Sequence, residues 1–181
     1  MIDFFQHKFE PTSAMLFGIC DDGANEKPPA YLDYTDISKW IAIVNNPNAR
    51  DIVFRPIDNC IPILKIDILH IKSLIGDDCF EPMKDKNESA SRADGMIIYD
   101  KNIVFIELKT KRKKWIQGAL CQLIVTVKVF NEFHNLDQYD SVKAYACNKG
   151  KGPIANITNS KRNILANMGV RVFIDKRIEI Y

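Results

Sequence analysis

The stretch Ile103-Val104-Phe105-Ile106-Glu107-Leu108-Lys109 constrains this chain more than any other. A strand that is apolar at nearly every position must be covered on both faces, unlike a strand with one face in water. Glu107 and Lys109 then interrupt the apolar run near its C-terminal end. Side chains two apart on a strand point to the same side, so both charges share one face while Leu108 takes the other. Just upstream, Gly95 to Tyr99 reads as a second strand. Asp100-Lys101-Asn102 supplies turn residues between the two, and the pair predicts a hairpin.

Downstream, Ile116, Leu120, Leu123, Val127 and Phe130 recur at helical spacing, which predicts a helix from about Lys113 to Phe133. The β-branched run Val125 to Val129 weakens its end. Ser141 to Cys147 reads as a strand, Thr158 to Met168 as a short helix closed by Gly169, and Val170 to Ile174 as a last strand. The first third gives weaker signals. Gly18 to Ala30 reads as loop, Asp36 to Val44 as a helix ended by Asn45-Asn46-Pro47-Asn48, and Asp51 to Arg55 as a short strand. Ile61 to Ile75 fits a helical stripe or an alternating strand, with helix favoured. Asp77 to Ser91 is polar loop or an irregular edge strand. The expectation is an α/β fold: a central mixed β-sheet flanked by helices, in a single domain of 181 residues.

Composition excludes several classes. Hydrophobic residues are 46% and charged residues 27%, so the chain is not of the disordered type. Apolar runs such as Leu123-Ile124-Val125 fall far short of the ~20 residues that span a bilayer. The opening residues carry no basic leader, so a cytoplasmic location is expected. Five cysteines, at 20, 60, 79, 121 and 147, form no close pair, and three scattered histidines offer no zinc spacing. The thiols are expected to be reduced and mostly buried, and a carboxylate site is the better candidate. Net charge is only +2. Its distribution is uneven, because Lys109 to Lys114 places five cations in six positions. A local basic patch suits an anionic ligand gripped at one place.

Asp94 completes the candidate site. If Lys101-Asn102 is a two-residue turn, Asp94 falls opposite Lys109. If Asp100-Lys101 is the turn, it falls opposite Glu107. Either register puts the three residues on one face, whereas a three-residue loop would set Asp94 opposite Leu108, on the wrong face unless a bulge intervenes. Two neighbouring carboxylates repel and rise in pKa at a buried strand end unless a cation lies between them. Hard divalent cations take oxygen ligands, so Asp94, Glu107 and the Leu108 backbone carbonyl are candidate metal ligands for Mg²⁺ or Mn²⁺. Metal-bound water is more acidic, and Lys109 beside it can position a nucleophile and stabilise charge on a phosphate.

Asp94, twelve intervening residues and then Glu107-Leu108-Lys109 at the end of an apolar strand that leads into a helix resembles the PD-(D/E)xK nuclease superfamily. The resemblance covers about residues 60 to 147 and leaves 1 to 59 as an extension of unassigned role. It departs from the pattern at Ala93, where the nominal proline stands. It implies a restriction endonuclease-like αβββαβ core, dependence on a divalent metal and cleavage of DNA. It also implies a glutamine on the following helix that faces the site, with Gln122 the first candidate and Gln117 the second. An acid on the first core helix or just before the aspartate is a further feature of many members, and Glu81 or Glu88 could serve.

The expected function is therefore phosphodiester hydrolysis of DNA by a small endonuclease, with Asp94, Glu107, Lys109 and Gln122 as its working residues. Lys111, Arg112, Lys113 and Lys114 are the expected phosphate contacts. Their cations at a helix start oppose the helix dipole, which hints at a ligand there. Trp115 beside them packs in the core or stacks on a base. Asp21-Asp22-Gly23 and Asp77-Asp78 lack the ligand spacing of a calcium loop and read as surface. So short a chain has little room for a recognition domain, so specificity would come from the N-terminal third, a homodimer or a partner protein. The competing expectation is a nuclease fold that binds or regulates without catalysis.

Overall fold

The structure is a computed structural model. It describes residues 3–22, 28–58, 60, 73, 79, 92–110, 115–150 and 159–181. Nine strands and two α-helices are found among them, in the order β1 (Leu16–Cys20), β2 (Tyr31–Asp33), β3 (Ala42–Asn45), β4 (Val53–Pro56), β5 (Gly95–Tyr99), β6 (Asn102–Lys109), α1 (Trp115–His134), β7 (Ser141–Asn148), α2 (Asn159–Ala166), β8 (Val170–Ile174) and β9 (Arg177–Glu179). The strands form two sheets. The larger has the order β4-β5-β6-β7-β8 and the smaller β2-β1-β3-β9.

In the larger sheet β4, β5 and β6 run as an antiparallel meander, while β7 and β8 lie parallel to β6 and to each other. The parallel pairs need crossovers, and α1 and α2 supply them. The hairpin expected from sequence is present. Tyr99 pairs with Asn102 across a two-residue turn of Asp100 and Lys101, with Asp100 in the left-handed region at φ 48°. Aspartate tolerates that conformation better than most residues because its short side chain bonds locally.

Both faces of β6 are covered, but by different layers. Phe105 and Ile103 pack with Leu120, Ile124, Val127 and Phe130 of α1. Val104, Ile106 and Leu108 pack instead with Phe17 and Ile19 of β1, Val44 of β3 and Ile178 of β9. The expected sheet flanked by helices is thus corrected to a sheet with helices on one face and a second sheet on the other, among the described residues. The N-terminal third, with no role assigned from sequence, builds most of that second sheet.

Three further expectations change. Asp36 to Val44 is not a helix: it is a turn leading into β3, whose Ala42 and Val44 are buried and whose edges pair with β1 and β9. Gly18 to Ala30 is not all loop, since β1 runs through Gly18 to Cys20. Gly18 is required there because an added Cβ would lie 2.0 Å from the Trp40 ring that covers it. Strand β9 was not foreseen. The helix expected over 61–75 and the loop over 77–91 lie almost wholly outside the described residues. Among those described, no helix is long and apolar enough to cross a membrane.

Candidate active site

The hairpin register places the candidate residues. Gly95 pairs with Ile106 at the last printed step of the ladder, so the next position sets Asp94 opposite Glu107, the second of the two even registers. Asp94 is bent towards the backbone of β6, where the Leu108 N–H donates to its Oδ2 at 2.5 Å. Its own backbone is pinned on both sides. The Ile57 N–H donates to the Asp94 carbonyl at 2.9 Å, and the Ala93 N–H donates to Thr126 Oγ1 of α1 at 2.8 Å. Gly95 follows because a Cβ there would meet the Phe54 ring at 2.7 Å.

Glu107 is fully buried on the α1 side of the sheet. Its neighbour on β7 is Ala146, a small residue that leaves the carboxylate room. The Lys109 ammonium lies against Glu107 Oε1 as an ion pair. Both Glu107 oxygens are buried, and among the described residues the carboxyl has only the Lys109 ammonium and the Asp94 carboxyl as polar neighbours. Burial of a carboxylate without a full set of partners costs several kcal/mol, of order 1–3 or more, and the group answers by holding a proton. Burial first, and the adjoining Asp94 carboxyl second, raise the Glu107 pKa well above its ordinary value, with Lys109 opposing. Asp94 is raised to about 7 for the same primary reason, offset by the Leu108 N–H and by Lys109. Two acids that each want a proton therefore meet at the end of β6.

Gln122 of α1 reaches the end of β6. Lys109 Nζ donates to Gln122 Oε1 at 2.6 Å, and Gln122 Nε2 donates to the Arg92 carbonyl at 2.9 Å. One side chain thus holds the lysine while tying α1 to the residue two before Asp94. Gln117 is five positions earlier, about 140° around the helix, and so belongs to another face. Trp115 is buried in the core, which favours the packing role. Leu108 contributes its amide to Asp94 and its side chain to the opposite layer. Lys111, Arg112, Lys113, Lys114, Glu81 and Glu88 lie outside the described residues, so the structure does not bear on their expected roles.

Sequence reasoning missed four supporting groups. Thr126 lies one helical turn beyond Gln122, at the spacing that shares a face, and its hydroxyl is the acceptor for Ala93. Asn148 sits beside Lys109 at the end of β7, nearly buried, and accepts from the Gly150 N–H at 2.8 Å. Asp58 pairs with Arg92 at 3.6 Å. Asp21, read as surface, is close enough to add to the rise in the Asp94 pKa, as does Asp58. Neither Asp21 nor Asp58 joins the pair as a third ligand: among the described residues no three His, Cys, Asp or Glu side chains cluster as a metal site. No family model, no curated protein and no solved structure matches this chain.

Proposed function

We propose that the protein is a divalent-metal-dependent hydrolase of DNA phosphodiester bonds, working at Asp94, Glu107 and Lys109. The observation that carries this reading is the meeting of two buried carboxyls, Asp94 and Glu107, with a lysine against one of them at a strand end. A structural ion pair needs one acid, and the second acid only adds repulsion. The donor set fits a hard cation such as Mg²⁺ or Mn²⁺: both groups offer oxygen, and a charge of +2 offsets the cost of burying two carboxylates side by side, which is what raises both pKa values.

When bound, the cation supplies a more acidic water and draws charge from phosphate oxygens. The chain's own residues do the rest. Asp94 is held in place by the Leu108 N–H, so its second oxygen stays free of that bond. Lys109 shares the face of Glu107 and brings a positive charge to where a phosphoryl oxygen becomes more negative. Gln122 fixes the lysine from above and so sets which way that charge points. The antiparallel β4-β5-β6 meander, followed by α1 and the parallel β7, is consistent with the βββαβ part of the core that the PD-(D/E)xK resemblance implies. DNA as substrate rests on that resemblance and on the cationic run Lys111 to Lys114 in the sequence.

Incubation with supercoiled plasmid and Mg²⁺ or Mn²⁺, beside a Glu107→Ala/Lys109→Ala double variant, tests the proposal. Nicking by the parent and a loss of more than about a hundredfold in the variant are expected, as for removal of charge-stabilising groups. Equal nicking by the two proteins would overturn the assignment. Metal-dependent binding of DNA with no nicking would favour the non-catalytic module.

A further inference from the structure

A second feature lies on the other face of the larger sheet. Lys143 of β7 and Arg171 of β8 are direct register partners on neighbouring parallel strands. Alternation puts them on the side of Tyr145 and Phe173, away from α1, since Tyr145 and Phe173 pack with the second sheet. Like charges set directly opposite on adjacent strands destabilise a sheet, and here one of them is largely buried, with Lys143 only 8% exposed. Burial and then Arg171 lower the Lys143 pKa, with Glu179 opposing.

The two cations line a cavity of about 440 Å³ where the edges of the two sheets meet. That size is within the range of small-molecule sites, roughly 300–1,000 Å³. Arg177 lines it too, and the cavity holds these three cations against two acids, Asp175 and Glu179. Each acid commits one oxygen to another partner. Glu179 Oε2 accepts from Asn45 Nδ2 at 2.6 Å, and Asp175 Oδ1 accepts from the Arg177 backbone N–H at 3.0 Å. Among the described residues, no carboxylate forms a salt bridge with Lys143, Arg171 or Arg177. Lys143 Nζ makes one long bond, 3.4 Å, to the Glu179 carbonyl. Arg171 donates to Ser141 Oγ at 2.7 Å, which steadies the guanidinium. Tyr181, an exposed residue, closes one side with its ring centre 5.9 Å from Lys143 Nζ.

We propose that this cavity is a binding site for a nucleoside phosphate, with the phosphate held by Lys143 and Arg171 and the base laid against Tyr181. The anion supplies the negative charge that the facing cations lack, and arginine's fork suits a phosphate. An exposed aromatic ring beside a cation offers the stacking surface a base uses. The site is on the opposite face from Asp94 and Glu107 and does not depend on their reading. The ligand is either a free nucleotide or the phosphorylated end of a nucleic acid strand, which present the same chemistry.

Calorimetric titration of the full chain in chelator, so that no divalent metal takes part, tests this with four probes: adenosine monophosphate, adenosine, inorganic phosphate and a 5′-phosphorylated oligonucleotide. Saturable binding of the monophosphate is expected, more than about tenfold tighter than adenosine or inorganic phosphate, with a loss of about tenfold or more in Arg171→Gln. Arg171 is exposed, so that variant keeps its fold. Lys143→Met, which removes the buried charge, is expected to raise Tm without ligand and to abolish binding. An oligonucleotide that binds tighter than the monophosphate identifies a strand end, and equal binding identifies a free nucleotide. No saturable heat with the monophosphate, equal affinity for inorganic phosphate, or unchanged affinity in Arg171→Gln would overturn the proposal.

Discussion

Glu107 and Asp94 set the pH behaviour of the molecule. Both have folded-state pKa values above their ordinary ones, so the folded protein binds more protons than the unfolded chain between the two values. Their contribution is full below the ordinary carboxylate range, about pH 4, and is lost as pH rises through about 7 for Asp94 and through the raised value of Glu107. Without metal, Tm measured from pH 5 to pH 8 is therefore expected to fall at these two positions' expense, and Asp94→Asn/Glu107→Gln should flatten the fall. Adding Mg²⁺ is expected to raise Tm strongly at pH 8 and little at pH 5, because at low pH it must displace protons. Equal metal stabilisation at both pH values would count against the two carboxyls as ligands. In the proposed reaction Gln122 is a positioning residue, one step back from the chemistry. Gln122→Ala is expected to lower kcat for nicking about 10–100-fold with KM and Tm little changed, the cost typical of removing an orienting partner. Gln122→Glu, which keeps an acceptor for Lys109, should recover part of the rate.

At the scale of elements, Asp94 depends on the close approach of β4 to β5. Gly95→Ala would drive a Cβ into Phe54, which is fully buried and cannot swing away. A loss of about 1–3 kcal/mol is expected by chemical denaturation, the usual cost of overpacking. The hairpin, α1, β7, α2 and β8 were legible in the sequence because each carries its own period: alternating or continuous apolar strands, and a stripe from Ile116 to Phe130. The placing of the candidate residues was legible from the same signal, since Glu107, Lys109 and Gln122 lie on these elements and Asp94 immediately precedes β5. Asp36 to Val44 misled because Ile37, Trp40, Ile41 and Val44 fall at helical spacing although Ile37 is 66% exposed and Trp40 packs over Gly18. That contact is tertiary, between β1 and the turn before β3, and no local pattern encodes it. Thr126 and Asn148 were invisible for a like reason: a lone polar residue on an apolar element acquires a role only from its partner.

For the whole molecule, the second sheet is what lets β6 be apolar on both faces. One of its outer strands, β9, comes from the far end of the described chain; its Ile178, and Ile180 just after it, are fully buried in the cluster that holds Val44 and Phe17. Removal of residues 177–181 is expected to strip that layer and to cost more than about 3 kcal/mol, as two isoleucines of 1.5–3 kcal/mol each leave the core. Dye binding to exposed apolar surface and an early thermal transition would report it, and an unchanged Tm would contradict the two-layer account. The same layering separates two kinds of chemistry. The α1 side of the larger sheet holds the paired carboxyls, and the side towards the second sheet holds the cation-lined cavity, so substitutions at one are expected to leave the other's ligand binding intact. The proposed function stands or falls on whether Asp94 and Glu107 together hold a divalent cation. Crystals soaked in Mn²⁺ and measured for anomalous scattering show whether they do: a peak at the two carboxyls is expected, and a map with no peak there would overturn the proposal.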